Sequence, residues 1–153
     1  MHDLPLLRRW QGLPHVAEWW DNDEPFSQHD LRDERVSRWI VSAGATPFAF
    51  MQDYSVHGWD NHPFQHLPDG SRGIDQYIGE AAMLGQGHGT AFIQQRMRVL
   101  FDRGAPAIAT DPHPANLRAI AVYQRLGFTV AGAPLDTDWG RIVPMVAWRP
   151  ETG

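Results

Sequence analysis

Residues 83–90 read MLGQGHGT, with glycines at 85, 87 and 89, and they run directly into AFIQQRMRVLF, which contains no glycine. A chain that alternates glycine with other residues just before a helix-forming run predicts a tight turn followed by a helix. The first backbone N–H groups of such a helix have no intrahelical partner. With the helix dipole behind them and no Cβ in the way, those donors form a site for an anionic group such as a phosphate. The P-loop pattern is absent, because no lysine precedes Thr90, and the dinucleotide pattern fails because no glycine stands at position 92. A pyrophosphate cradle of another kind remains, alongside the plainer reading of a glycine-rich turn before a surface helix.

On either side of this turn the pattern alternates between strand and helix. Residues 4–20 read as two short helical pieces broken at Gly12 and Pro14, with Asp3 as N-cap. Residues 36–54 read as two strands around an Ala-Gly-Ala-Thr turn, and period two places Phe48, Phe50, Gln52 and Tyr54 on one face of the second. Residues 55–73, rich in Pro, His, Asp and Gly, read as a long irregular loop of the kind that often carries function. GIDQYIGE, residues 73–80, predicts a strand with Asp75 and Tyr77 on one face and Ile74, Gln76 and Ile78 on the other.

From Thr90 the apolar residues Ile93, Met97, Leu100 and Phe101 take helical spacing up to Gly104. PAIAT predicts a short buried strand. NLRAIAVYQRL predicts a helix capped by Asn116 and stopped by Gly127. FTVAG and RIVPMVAW complete the chain as strands around a turn containing Asp136 and Asp138. This order predicts an α/β fold with mixed strand directions.

Composition narrows the chemistry. A chain of 153 residues with 42% hydrophobic residues is expected to form one domain, residues 1–153. Cysteine is absent, so disulfides, thiolate metal sites and a cysteine nucleophile are excluded. The formal charge of −5, without a dense basic run, argues against a nucleic-acid partner and for a cationic small molecule. No apolar stretch approaches the ~18 residues of a membrane helix, and a soluble cytoplasmic protein is expected. His57, His62 and His66 share the long loop, but without thiols or an H-E-x-x-H pattern they read as polar loop residues, and no metal is expected.

Taken together, LGQGHGTAFI and NLRAIAVYQRLGF resemble the acetyl-CoA-binding motifs of the GNAT superfamily of N-acetyltransferases. The first position of the family's glycine motif is Leu84 here rather than Gln or Arg. VAEWW, TPFAFMQDY, RGIDQ, LGQGHGT, TDPHPANLRAI and YQRLGF, in this order over residues 16–128, look like the aminoglycoside 6'-N-acetyltransferase branch.

The resemblance implies a mixed, mostly antiparallel central sheet flanked by helices. It implies acetyl-CoA as cosubstrate, held by Ile78, Gln86, Gly87, His88, Gly89, Thr90, Asn116 and Tyr123. It implies an aminoglycoside pocket lined by Trp20, Gln52, Tyr54, Asp75, Asp111 and Asp138; Trp59, in the 55–73 loop that matches that branch poorly, is expected to add an apolar platform for a sugar ring. Asp75 would serve as base or amine-orienting carboxylate and Tyr123 as general acid in a direct transfer. Taken one by one, Asp111 before Pro112 and Asp138 before Trp139 are also ordinary turn residues, and Trp20 an ordinary core residue.

GNAT chains usually begin with a strand, whereas MHDLPLL already reads as helix. The usual first strand is therefore either missing or upstream, and its loss would leave a sheet edge that favours a homodimer. Three functions fit these features: an aminoglycoside N-acetyltransferase linked to antibiotic resistance, a GNAT enzyme for another amine such as a protein N-terminus, a lysine or a siderophore precursor, and a non-catalytic acyl-CoA-binding module.

Overall fold

The computed structural model describes residues 4–18, 36–57, 63–84, 87–137 and 140–150. Helix α1 (Leu4–Gln11) and the single turn α2 (Pro14–Ala17) are broken at Gly12 as expected, with Pro14 opening the second piece. The proposed cap Asp3 lies outside the described residues. A hairpin of β1 (Val36–Ala43) and β2 (Thr46–Ser55) follows, then β3 (Arg72–Ile78) and a 3-10 turn, Ala81–Met83. Helix α3 (His88–Asp102), β4 (Ala107–Thr110), α4 (Leu117–Arg125) and β5 (Thr129–Val130) come next. Strands β6 (Leu135–Thr137), β7 (Gly140–Ile142) and β8 (Met145–Trp148) complete the order.

Six strands form one sheet in the order β1-β2-β3-β4-β8-β5, antiparallel throughout except for the β3–β4 pair, while β6 and β7 form a separate hairpin. Among the described residues no strand precedes α1, and β1 is an edge of the sheet. Helix α3 is the crossover between the two parallel strands.

Alternation along each strand sorts the core into two faces. On one, Met51, Ile74, Ile108, Met145 and Ala147 pack against Phe92, Ile93, Met97 and Leu100 of α3 and Tyr123 of α4. On the other, Phe50 is covered by Leu4, Leu7 and Trp10 of α1. Val56, Ala107, Ala109 and Val146 on that same face are covered by Phe64 and Leu67. Phe64 is fully buried. The long loop therefore spends part of its length closing the core, a role its polar composition conceals.

Three expectations need correction. Phe48 does not share a face with Phe50: it joins the α3 cluster while Phe50 packs under α1. The cause is a slip in the hairpin, where Val41 faces Ala49 and Ser42 faces Pro47, so Phe48 has no opposite residue and alternation restarts after it. Next, RIVPMVAW is two strands rather than one. Pro144 has no N–H to give a ladder, so β7 ends before it, and β8 begins after it between β4 and β5. Last, Asp136 lies within β6, opposite Arg141 at 3.0 Å, rather than in a turn.

Candidate active site

The site is built where the two parallel strands separate. β3 and β4 pair only at Arg72 with Ile108 and Gly73 with Ala109. Beyond that point β3 runs on to Ile78, paired with β2 alone. Thr110 marks the fork, its hydroxyl donating to the Ile74 carbonyl at 3.3 Å. Because the Ile74 carbonyl points to the β4 side, period two turns the backbone groups of Gln76 and Ile78 into the gap as well. The end of β3 is shaped by a bulge, in which the N–H groups of Gly79 and Glu80 both donate to the Phe48 carbonyl, at 2.8 and 3.1 Å.

On the α1 face of the fork, polar groups converge. Gln52 stands opposite Asp75 in the β2–β3 ladder, and its Nε2 donates to Asp75 Oδ2 at 3.0 Å. Asp111, just past the end of β4, shares a side-chain hydrogen bond with Asp75. Burial pushes the Asp75 carboxyl above the usual carboxylate range, and the hydrogen bonds from Gln52 and Asp111 only partly oppose it. Gln52 Oε1 is buried without a hydrogen-bond partner. The Tyr54 ring lies over Gly73, and its phenol is raised by burial first and then by Asp75 and Asp111.

On the other face, α4 presents Tyr123. Asn116 caps this helix as expected, accepting from the Ala119 N–H at 3.2 Å, and Gly127 ends it with φ +101°. One stripe thus runs from the cap through Ala119 to Tyr123, whose ring meets Phe128 edge-on at 5.4 Å. Gln76 Nε2 donates to the Tyr123 hydroxyl. Burial raises the Tyr123 phenol above its ordinary value, the hydrogen bond with Thr110 works against this, and Asp75 and Asp111 raise it further. The phenol is therefore protonated at neutral pH. Its electrostatic link to both carboxylates shows that the two faces meet through the fork.

The glycine turn lies against the same opening. Gly87 caps α3 with φ +82°, a conformation that disfavours any side chain. The helix begins at His88, two residues earlier than Thr90. Its first intrahelical acceptor is the Gly87 carbonyl, bonded by Ala91 N–H at 3.1 Å, so the N–H groups of His88, Gly89 and Thr90 have no intrahelical acceptor. A Cβ on Gly89 would stand 3.7 Å from Ile78 Cδ1, which puts the turn beside the free end of β3. The His88 ring packs on Phe48, with ring centroids 5.3 Å apart.

The fold thus gathers Gln52, Tyr54, Asp75 and Asp111 on one side of the fork and Ile78, Gly89 and Tyr123 at its rim and other side; Gly87 and Thr90 flank Gly89 in the chain, and Asn116 caps the helix that carries Tyr123. Trp20, Trp59, Gln86 and Asp138 lie outside the described residues. Sequence reasoning missed Gln76 and the supports of the bulge. A polar residue between Ile74 and Ile78 on an apolar strand face was the available signal for Gln76. His15, whose Nε2 meets the Ile78 carbonyl at 3.0 Å, and Trp10, whose Nε1 donates to Glu80 Oε1 at 2.9 Å, come from far away in the chain and leave no local signal.

A forked parallel pair, a glycine turn opening the crossover helix and a capped tyrosine helix define an acyltransferase fold, and residues 1–133 match the family model "Acetyltransferase (GNAT) domain". The chain belongs to the GNAT acetyltransferase family. Its relatives include aminoglycoside N(6')-acetyltransferase type 1 of Klebsiella pneumoniae, 34% identical over 160 residues that span 97% of this chain and 79% of the relative. Among solved structures, aminoglycoside acetyltransferase AAC(6')-Ib in complex with coenzyme A and kanamycin superposes with a TM-score of 0.84 at 34% identity, covering 97% of this chain and 90% of that one. A second structure of AAC(6')-Ib, holding acetyl-CoA, gives a TM-score of 0.85 at 35% identity, covering 97% and 89%. Among the described residues no helix is long and apolar enough to cross a membrane.

Proposed function

We propose that this acetyltransferase moves the acetyl group of acetyl-CoA directly onto the 6'-amine of an aminoglycoside. The observation that carries the reading is a nest of acceptors on the α1 face of the fork: the Asp75 and Asp111 carboxyls and the unpartnered Gln52 Oε1. Such a nest is costly when empty and is satisfied by an ammonium group, which supplies three donors and a positive charge. The kinship with aminoglycoside 6'-N-acetyltransferases supports the choice of amine.

Acetyl-CoA supplies an activated thioester, and the N–H groups of Gly89 and Thr90, which have no intrahelical acceptor, suit its pyrophosphate. The backbone of Gln76 and the Ile78 N–H, turned into the gap, suit an extended amide arm that pairs like a strand. Asp75, assisted by Asp111, takes a proton from the bound ammonium and leaves the neutral amine facing the gap. As the amine nitrogen bonds to the acetyl carbon and the carbon–sulfur bond breaks, backbone N–H groups at the end of β3 stabilise the developing oxyanion. Tyr123, kept neutral by burial and oriented by Gln76, gives its proton to the departing thiolate, and the second proton shed by the acylated nitrogen restores the phenol while Asp75 returns its own to solvent.

The test is thiol release from acetyl-CoA with aminoglycosides that bear or lack a free 6'-amine. Turnover is expected only when that amine is present. Equal turnover on both sets moves the transfer to another position, and silence with acetyl-CoA bound moves it to another class of amine.

A further inference from the structure

A second polar constellation lies on the α3 face of the sheet, towards the C-terminal end of that helix and therefore away from the glycine turn. Asp53 is fully buried there, and both of its oxygens are engaged: Oδ1 with Arg72 Nη2 at 2.6 Å and Oδ2 with Arg96 Nε at 2.7 Å. Arg96 is further fixed by stacking on Trp39, its guanidinium carbon 4.0 Å from the ring centroid. Arg103, seven residues along the same face of α3, also lines this region and forms no ion pair among the described residues. These side chains, together with Ser37, surround a cavity of about 300 Å³.

Among the described residues the charges do not balance. Three guanidiniums there face one carboxylate, in a chain whose formal charge is −5. Asp69 and Asp102, their acidic neighbours in sequence, form no ion pair with them. Asp53 consumes one N–H of Arg72 and one of Arg96, so most of the donors of all three arginines are left for another acceptor. An ion triad that only tied β2, β3 and α3 together would not need Arg103 or the open volume. Arginine forks held rigid by a buried carboxylate and an aromatic face suit the oxygens of a phosphate.

We propose that this cavity is a second ligand site, taking a small phosphate-bearing molecule by its phosphate group, separate from the thioester and amine sites. The excess of two positive charges matches a phosphate dianion, and the volume leaves room for an attached organic part. Because Arg96 and Arg103 belong to the helix whose other end is the glycine turn, occupancy is positioned to stiffen that helix.

The experiment uses the whole protein saturated with coenzyme A, so that the glycine turn is occupied, and titrates inorganic phosphate by calorimetry and thermal melting, with chloride at matched ionic strength as control. Phosphate is expected to bind and raise the melting temperature where chloride does not. Arg103→Ala, which breaks no ion pair, is expected to weaken phosphate binding by ~10-fold. Ser37→Glu, which adds a carboxylate at the rim, is expected to abolish it. Both should melt and turn over as the wild type does in the absence of phosphate. Phosphate acting no differently from chloride, or binding Arg103→Ala and wild type equally, overturns the proposal.

Discussion

Trp10 occupies the space that a side chain at position 79 would need: a Cβ on Gly79 would overlap the indole ring. The same indole donates to Glu80, which also holds Arg9 at 2.7 Å, so α1 is fastened directly onto the bulge at the end of β3. Gly79→Ala is therefore expected to lift α1 from the sheet, at a cost of about 1–3 kcal/mol. Turnover should fall with stability, because the bulge shapes the backbone beside the reacting carbonyl. A melting curve and a thiol-release assay on the same preparation check both.

Tyr123→Phe removes the proton donor while keeping the ring that packs on Phe128. Transfer is expected to slow by a factor of ~10² to 10⁴, with coenzyme binding nearly unchanged. Gln76→Leu, which only frees the hydroxyl, should reduce kcat by less. Unchanged turnover in Tyr123→Phe would remove the phenol from the mechanism.

Burial raises the Asp75 carboxyl, so its pH dependence runs opposite to that of an ordinary salt-bridged aspartate. The fold binds this proton more tightly than the unfolded chain does. The contribution to stability is present below the unfolded value near ~3.9 and is lost as pH rises through the folded one. Asp75→Asn is expected to melt higher than wild type at neutral pH, with the gap closing in acid, and to lose turnover. In wild type, a cationic amine set against Asp75 favours the ionised carboxylate. The heat of aminoglycoside binding below neutral pH should therefore depend on the buffer's ionisation enthalpy, a dependence that Asp75→Asn removes.

Asn116 has a structural duty and a proposed binding duty, and two substitutions separate them. Asn116→Ala loses the cap, worth about 0.5–2 kcal/mol, whereas Asn116→Asp restores it. If Asn116 also touches acetyl-CoA, Asn116→Asp should melt like wild type while its KM for acetyl-CoA rises. A normal KM would confine Asn116 to capping.

Much of this architecture was legible in the sequence, since it rests on local rules. Gly104, Asn116 and Gly127 mark helix boundaries by conformation and capping chemistry, and alternation places Asp75 and Gln76 on opposite faces of β3. What was hidden depends on register. Phe48 escapes the period-two pattern because of a hairpin slip, and Phe64 is core despite its polar neighbours. The union of Gln52 with Asp75 across a ladder, and of Trp10 with Gly79 across the fold, depends on which strands and helices become neighbours. Asp53 and Arg96, 43 residues apart, are invisible as a pair until α3 crosses β2.

The fork between β3 and β4 makes the sheet a partition with a single window, through which Tyr123 and Asp75 sense each other from opposite rooms. On the proposed reading, the acetyl donor and the amine lie on sides that share little more than β3, so substitutions around Gln52, Tyr54 and Asp111 are expected to change the amine accepted without rebuilding the acetyl supply. An enzyme arranged this way can change its acceptor by altering one wall at a time.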